Sequence, residues 1–166
     1  MTTLARITIG LILAFLSSSC MLDVNWGSGK RGNGVVVDET RSVSESFTAV
    51  AASEGLDVYV EQGDDFDIRV EADENVIELI GTDIKDGKLR IHAIENIGRA
   101  TKNVFITLPE ITALSSSSGA DLTGRGMIEA DKVRLDASSG ADLRVEIAAD
   151  EIEVDFQSEI ATLVGT

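Results

Sequence analysis

The chain has 166 residues, of which 43% are hydrophobic, so it is long and apolar enough to form a domain with a buried core. Aromatic residues make up 4% and proline occurs once, which indicates a core built from Val, Ile, Leu and Ala. The formal net charge of −15 argues against nucleic acid and anionic lipid as partners, because both require a basic surface.

The N-terminus has the layout of a secretory signal. Residues 1–19 carry a single charge, Arg6, followed by an apolar run over residues 7–16 and three serines. This run is shorter than the roughly 20 apolar residues of a membrane-spanning helix. Cys20, the only cysteine, comes next and resembles the modified cysteine of a bacterial lipobox, although Ser17 stands where leucine is usual. The resemblance implies cleavage before Cys20 and lipidation of its thiol; the alternative is an ordinary signal peptide with a free thiol.

The rest of the chain divides into a tether and a domain. Residues 20–34 are predicted to be the lipidated cysteine and a glycine-rich flexible tether. Residues 35–166 are predicted to be the folded domain, because apolar and polar residues alternate there with the period of half-buried strands. Asp86-Gly87 predicts a tight hairpin, and no long amphipathic helix is present. The predicted class is all-β.

One short phrase occurs twice, 21 residues apart. Ser117 to Leu122 reads SSGADL and is repeated from Ser138 to Leu143, and a weaker third copy aligns Leu163 with both leucines. A period of about 20–21 predicts a single-stranded β-helix, or solenoid, in which each coil lies about 4.8 Å above the last. In this hypothesis the three leucines form one inward ladder. The C-terminal end of such a stack is either covered by a partner or another copy, or truncated.

The repeated phrase also supplies the candidate ligand-facing residues. They are the polar side chains of the two copies: Ser117, Ser118, Asp121, Ser138, Ser139 and Asp142. The simpler interpretation is that they form turns and bond the corner backbone. A Ca²⁺ ion between Asp121 and Asp142, or glycosidase chemistry at the same pair, are the alternatives. His92 is the only histidine, so neither a zinc site nor a histidine-based triad is predicted. No catalytic residue, metal ligand or cofactor is assigned.

The order of several segments resembles a known family. These segments are GNGVVVDETRSVSESFTAV, GLDVYVEQGDDFDIRVEADENV, TDIKDGKLRIHA and NVFITLPEITALSSSSGADL, and the likeness covers residues 32–156. They resemble the auto-transporter adhesins with a head GIN domain, which are exported and lipidated proteins of Gram-negative bacteria. The resemblance implies a right-handed β-helix similar in shape to pectin-lyase-like proteins. It implies no established catalytic residue.

The functional expectation is a non-enzymatic envelope protein, anchored by lipid at Cys20, most simply in the outer membrane and facing either the periplasm or the cell surface. It would present a β-solenoid surface to a glycan or a protein, with no nucleic-acid partner. One alternative is a polysaccharide lyase, a glycosidase or a Ca²⁺-binding β-helix that uses Asp121 and Asp142. Another is a periplasmic scaffold that associates with itself through an open C-terminal end.

Overall fold

The computed structural model describes residues 29–156 and the backbone of residues 162–165. The predicted signal peptide, Cys20 and the corner of the third repeat copy lie outside these residues. No helix within the described residues is long and apolar enough to cross a membrane.

The described chain is built from strands, which confirms the all-β prediction. The only helical element among them is a single 3-10 turn at Ile77–Leu79. The strands are β1 (Val36–Thr40), β2 (Ala49–Ala52), β3 (Asp57–Gln62), β4 (Asp67–Asp73), β5 (Ile80–Lys85), β6 (Lys88–Ala93), β7 (Lys102–Leu108), β8 (Ala113–Ser116), β9 (Asp121–Ala137), β10 (Asp142–Phe156) and β11 (Thr162–Gly165).

All strands belong to one mixed sheet that curls into a half-barrel. Its continuous order is β1-β4-β7-β3-β9-β8-β2-β6-β5, and β10 lies between β9 and β11. The first part of the long strand β9 pairs with β3, and its last part pairs with β8. The sheet therefore bends along β9 and has two outward faces, one around β3 and one around β8, which share strand β9.

The prediction of a regular single-stranded β-helix, right-handed and pectin-lyase-like, is wrong. Antiparallel pairs β1–β4, β4–β7 and β5–β6 interrupt the parallel order. One cause is turn chemistry: Asp86 (φ 52°) and Gly87 (φ 74°) form the predicted hairpin and return the chain beside itself. The third repeat copy also departs from the expected ladder, because Leu163 lies opposite Val145 rather than Leu143.

Parallel stacking does join the two repeat copies to a third segment. Asp121 lies opposite Asp142 on neighbouring parallel strands, and the residues that follow each of them are paired as well. The corners before these strands stack too: the Gly119 N–H donates to the Ser139 carbonyl at 3.2 Å, and the Gly55 N–H donates to the Ser118 carbonyl at 3.1 Å. The corner at residues 53–56 thus continues the stack that the repeat forms.

The core follows from the alternation along these strands. In the centre of the sheet the inward residues Val58, Val104 and Leu122 lie side by side and are 0–1% exposed. Leu143 continues the row on β10. Aliphatic side chains carry most of this packing, as the composition predicts, and truncation of one such leucine to alanine costs about 2–5 kcal/mol.

A buried carboxylate holds the N-terminal segment against the sheet. Asp73, at the end of β4, is 3% exposed. Its carboxylate accepts hydrogen bonds from the Gly34 N–H and, at 2.7 Å, from the Thr101 N–H. Gly32 packs so closely on this carboxylate that a side chain there would collide with it. The described part of the predicted tether, residues 29–34, is therefore attached to the body.

We expect Asp73→Ala to lower the free energy of unfolding by about 1–3 kcal/mol, because it removes the charged acceptor of two partly buried backbone hydrogen bonds. The N-terminal segment should detach first, so trypsin should cut faster after Lys30 and Arg31. Denaturant unfolding and timed proteolysis measure the two effects. Glu74→Ala, at the exposed neighbouring residue, is the control. Unchanged cleavage in Asp73→Ala would contradict this role.

Candidate functional site

The structure brings the six predicted ligand-facing residues together, on two stacked corners and at the first positions of β9 and β10. Ser118 and Ser139 are exposed at the tips of neighbouring corners, with φ of 52° and 56°. Both corners close through their own backbone, since the Ser117 and Ser138 carbonyls accept from the amides three residues later at 3.1 and 3.2 Å. The serines therefore form turns, as the simpler interpretation holds, and contact with a ligand remains a prediction.

Three aspartates, rather than two, form a row across the strands. Asp57 on β3 lies opposite Asp121 on β9, which lies opposite Asp142 on β10. Asp57 was not predicted as part of the site, although Gly55-Leu56-Asp57 has the same glycine-apolar-aspartate order as the repeated phrase. Parallel register explains the row, because equivalent positions of stacked corners fall side by side.

An arginine binds the far end of this row. The Arg144 guanidinium contacts the Asp142 carboxylate at 2.7 Å and the Asp121 carboxylate at 3.6 Å. Burial raises the pKa of Asp121 above its ordinary value. The hydrogen bond with Asp142 and the negative charges of Asp142 and Asp57 raise this pKa further, whereas the positive charge of Arg144 lowers it. In the described part of the chain, no group of three or more histidine, cysteine or acidic side chains is arranged to hold a metal ion.

Two aromatic rings stack beside the aspartate row on the same outward face. The Tyr59 and Phe105 rings lie on neighbouring strands with centroids 5.1 Å apart and planes 14° from parallel. The Arg69 guanidinium lies 4.0 Å from the centroid of the Phe105 ring. The Arg125 guanidinium lies 4.6 Å from the Tyr59 centroid and 4.8 Å from the Phe105 centroid. We call these four residues the ring face.

The two arginines of the ring face differ in their partners. Arg69 is paired with Asp38 and, at 3.7 Å, with Glu71. Arg125 is exposed, and within residues 29–156 it has no ion-pair partner. Gly126 follows it with φ of 84°, a left-handed conformation that favours glycine. Arg125 therefore presents its donors to solvent while the two rings hold its guanidinium plane.

The ring face has the composition of a recognition surface. Tyrosine, phenylalanine and arginine are enriched at protein interfaces, and tyrosine and arginine are among the residue types that dominate binding energy. The ring face could not be predicted from the sequence, because its four residues come from four strands and the longest gap between them spans 36 positions. The sequence signal was weak: each ring occupies an outward position in an alternating strand, where a polar residue is expected.

We expect Asp121→Asn to stabilise the protein at neutral pH, since like charges directly opposite each other cost a sheet roughly 0.2–1 kcal/mol per pair. Because the pKa of Asp121 is raised in the folded protein, its protonated carboxyl stabilises the fold at pH values below the ordinary pKa of 3.8. This stabilisation is lost as the pH rises through the folded-state pKa. The melting temperature should rise by about 2–4 °C at pH 7 and stay unchanged at about pH 3.

Asp67→Asn is the matched control for this measurement. Asp67 is an exposed strand aspartate that lies opposite the neutral residue Thr107. Its substitution removes the same charge without relieving a carboxylate pair. Equal stabilisation by Asp67→Asn and Asp121→Asn would show that net charge alone, and not the aspartate row, is responsible.

Comparisons with solved structures show related folds. A "putative adhesin" from Parabacteroides merdae has a TM-score of 0.68 and 20% identity, over 81% of this chain and 57% of that one. A "putative adhesin" from Bacteroides fragilis has a TM-score of 0.72 and 14% identity, over 81% and 64%. A "putative lipid binding protein" from Parabacteroides distasonis has a TM-score of 0.62 and 16% identity, over 81% and 68%. This chain thus spans less than two thirds of the first two.

The sequence comparisons identify the family. No curated protein matches the chain. The family model described as "Putative auto-transporter adhesin, head GIN domain" matches residues 46–165, which include the stacked corners, the aspartate row and the ring face. The resemblance found in the sequence is thereby confirmed, and the chain belongs to the auto-transporter adhesin family with a head GIN domain.

Proposed function

We propose that this protein is an exported, lipid-anchored adhesion module of the cell envelope that binds a glycan or protein partner through the ring face. Membership of an adhesin family supports a binding role. The observation that carries the choice of surface is Arg125, an exposed arginine that two stacked rings hold in place and that has no ion-pair partner among the described residues. A preorganised donor of this kind loses little side-chain entropy on binding.

The anchor belongs to the same proposal. Acylation at Cys20 would attach the chain to a membrane, and eight residues separate this cysteine from Gly29, the first described residue. A chain of that length spans at most about 30 Å. Because residues 29–34 are attached to the body through Asp73, the domain would remain close to the membrane surface. Adhesion would then require a partner that reaches the envelope.

The enzymatic alternative has less support. Asp121 and Asp142 share the Arg144 guanidinium, which offsets part of their combined charge and occupies the space beside them. A general acid or nucleophile would need a carboxyl that is free to contact a substrate. The arrangement supports a structural role for the pair, and we assign no catalytic residue.

Self-association is a second candidate, favoured by one uncovered part of the sheet. Ile152 and Val154 on β10 lie opposite the buried Val133 and Leu135 of β9, yet each is 40% exposed. They continue the inward row of β10, and among the described residues β11 covers only the earlier part of that strand, residues 144–147. Addition of a further strand, from a second copy of the chain, would bury them.

We expect Cys20→Ser to move the protein from the membrane fraction to the soluble fraction of Gram-negative cells, because the lipid attachment site is lost. Met21→Leu, next to the cysteine, should remain in the membrane fraction. Protease treatment of intact cells, followed with an antibody against residues 100–140, should remove the domain if it faces outward. Protection of the domain until lysis would contradict the adhesion proposal and favour a periplasmic role.

We expect Arg125→Ala to abolish retention of the protein on an array of uncharged glycans or on immobilised envelope proteins, with an unchanged melting temperature. Arg99→Ala, an exposed arginine outside the ring face, is the matched control. Equal binding by the wild type and both variants would contradict the ring face as the contact surface.

A further inference from the structure

A second outward face, on the other side of the bend, contains a groove with basic residues at one wall. One row of side chains crosses it in register from β6 through β2 and β8 to β9: Lys88, Ala49, Ala113, Arg134. Ser115 and Asp136 lie two residues further along β8 and β9, opposite each other. The groove has a volume of about 430 Å³. This size lies within the range of pockets for small ligands, about 300–1,000 Å³.

The floor of the groove is low because two of its strands carry small outward residues. Ala49 and Ala113 are half-buried, and they separate the long side chains of Lys88 and Arg134. Three strand spacings divide the backbones of these two basic residues, or about 14 Å. A ligand several atoms wide can therefore lie across the alanines and reach both walls.

The groove carries basic residues although the whole chain is acidic: Lys88 and Arg134 line it, and Arg90 lies beside it on β6, two residues after Lys88. Lys88 and Arg90 on β6 are exposed, and in the described residues neither has an ion-pair partner. Asp83 lies opposite Arg90 on β5, but its carboxylate contacts the His92 Nε2 at 3.5 Å. On the far wall Arg134 is paired with Glu153 at 3.3 Å. Asp136 is the one carboxylate among the residues that line the groove.

We propose that this groove binds an acidic polysaccharide. Sugar carboxylates would contact Lys88 and Arg90, and sugar hydroxyls would donate to Asp136 on the opposite wall and bond with Ser115 on the adjoining floor strand β8. A ligand with both groups along one chain satisfies both walls, whereas a purely anionic one would be repelled by Asp136. This proposal concerns a different surface from the ring face and stands independently of it.

An acidic peptide fits the groove less well. Extended peptides usually bind to a sheet by hydrogen bonds to the free backbone groups of an edge strand. The floor strands β2 and β8 are paired on both sides, β2 with β6 and β8, and β8 with β2 and β9. Their backbone groups are therefore used within the sheet, and only side chains are offered to a ligand.

The contacts are exposed, so the affinity of each groove should be modest and should fall with salt. A polysaccharide that carries many acidic units can engage many copies of the protein at a cell surface, and the combined affinity then exceeds that of one groove. This behaviour suits a protein of an adhesin family.

The test measures binding of the full chain, in detergent, to oligogalacturonate by biolayer interferometry. We expect the double variant Lys88→Gln, Arg90→Gln to bind at least about tenfold more weakly. Ala113→Leu fills the floor without a change in charge and should also weaken binding severalfold. Ala49→Leu serves the same purpose if Ala113→Leu does not fold. The control Arg31→Gln, Arg99→Gln removes the same charge from exposed positions elsewhere and should bind within about twofold of the wild type.

Several results would overturn the proposal. No binding of oligogalacturonate would do so directly. Equal loss in the groove variant and in the charge control would show that only overall electrostatics acts. Unchanged affinity in the floor-filling variants would show that the ligand lies elsewhere, and equally tight binding of polyglutamate would show that an acidic peptide serves as well. Arg125→Ala should bind normally here, which separates this test from that of the ring face.

Discussion

The stacked left-handed corners are the constraint on which the rest of the structure depends. Glu54, Ser118 and Ser139 each adopt positive φ, which costs an L-residue about 1–2 kcal/mol. The cost is offset because the first two corners each donate a backbone hydrogen bond to the next, and because the apolar residue two positions after each of these residues is buried: Leu56, Ala120 and Ala141. Once the corners are aligned, the strands on both sides of them must run parallel and in register. Strand register then determines which side chains become neighbours on both outward faces.

Both candidate surfaces follow from this register. On one side it places Asp57, Asp121 and Asp142 in a row, with Tyr59 two residues further along β3. On the other side the equivalent alignment of β2 with β8 produces the low floor between basic residues. Rigid strands, rather than loops, therefore hold the residues of both surfaces. This arrangement reduces the entropy that a binding partner would have to overcome.

Local patterns in the sequence predicted the parts of the fold that depend on neighbouring residues. Alternation in segments such as 56–61 identified the strands, Asp86-Gly87 identified the hairpin, and the repeated phrase identified the pairing of Asp121 with Asp142. Sheet order was not accessible in this way, because β4 pairs with both β1 and β7 through contacts across the sheet. The repeat was wrongly extended to a regular coil for the same reason. The family and its matched region were recognisable from the order of several segments.

Net charge was a poor guide to the surfaces, because the total of −15 conceals where the basic residues lie. Lys88 and Arg134 are distant in sequence, and only the order of β6, β2, β8 and β9 places them on opposite walls of one groove. The same holds for Arg69 and Arg125 on the ring face. Acidity of the whole chain supports solubility, while the proposed recognition depends on Lys88, Arg90 and Arg125, which have no ion-pair partner among the described residues.

The register of the stacked corners can be tested directly by disulfide formation in a Cys20→Ser background. Opposite residues of parallel strands lie about 4.8 Å apart, within the range of about 4.4–6.8 Å that a disulfide requires. The pair Asp121→Cys, Asp142→Cys should therefore oxidise to an intramolecular disulfide, whereas Asp121→Cys, Arg144→Cys, two residues out of register, should stay reduced. Preferential oxidation of the second pair, or of neither, would contradict the stacked arrangement from which both surfaces are derived.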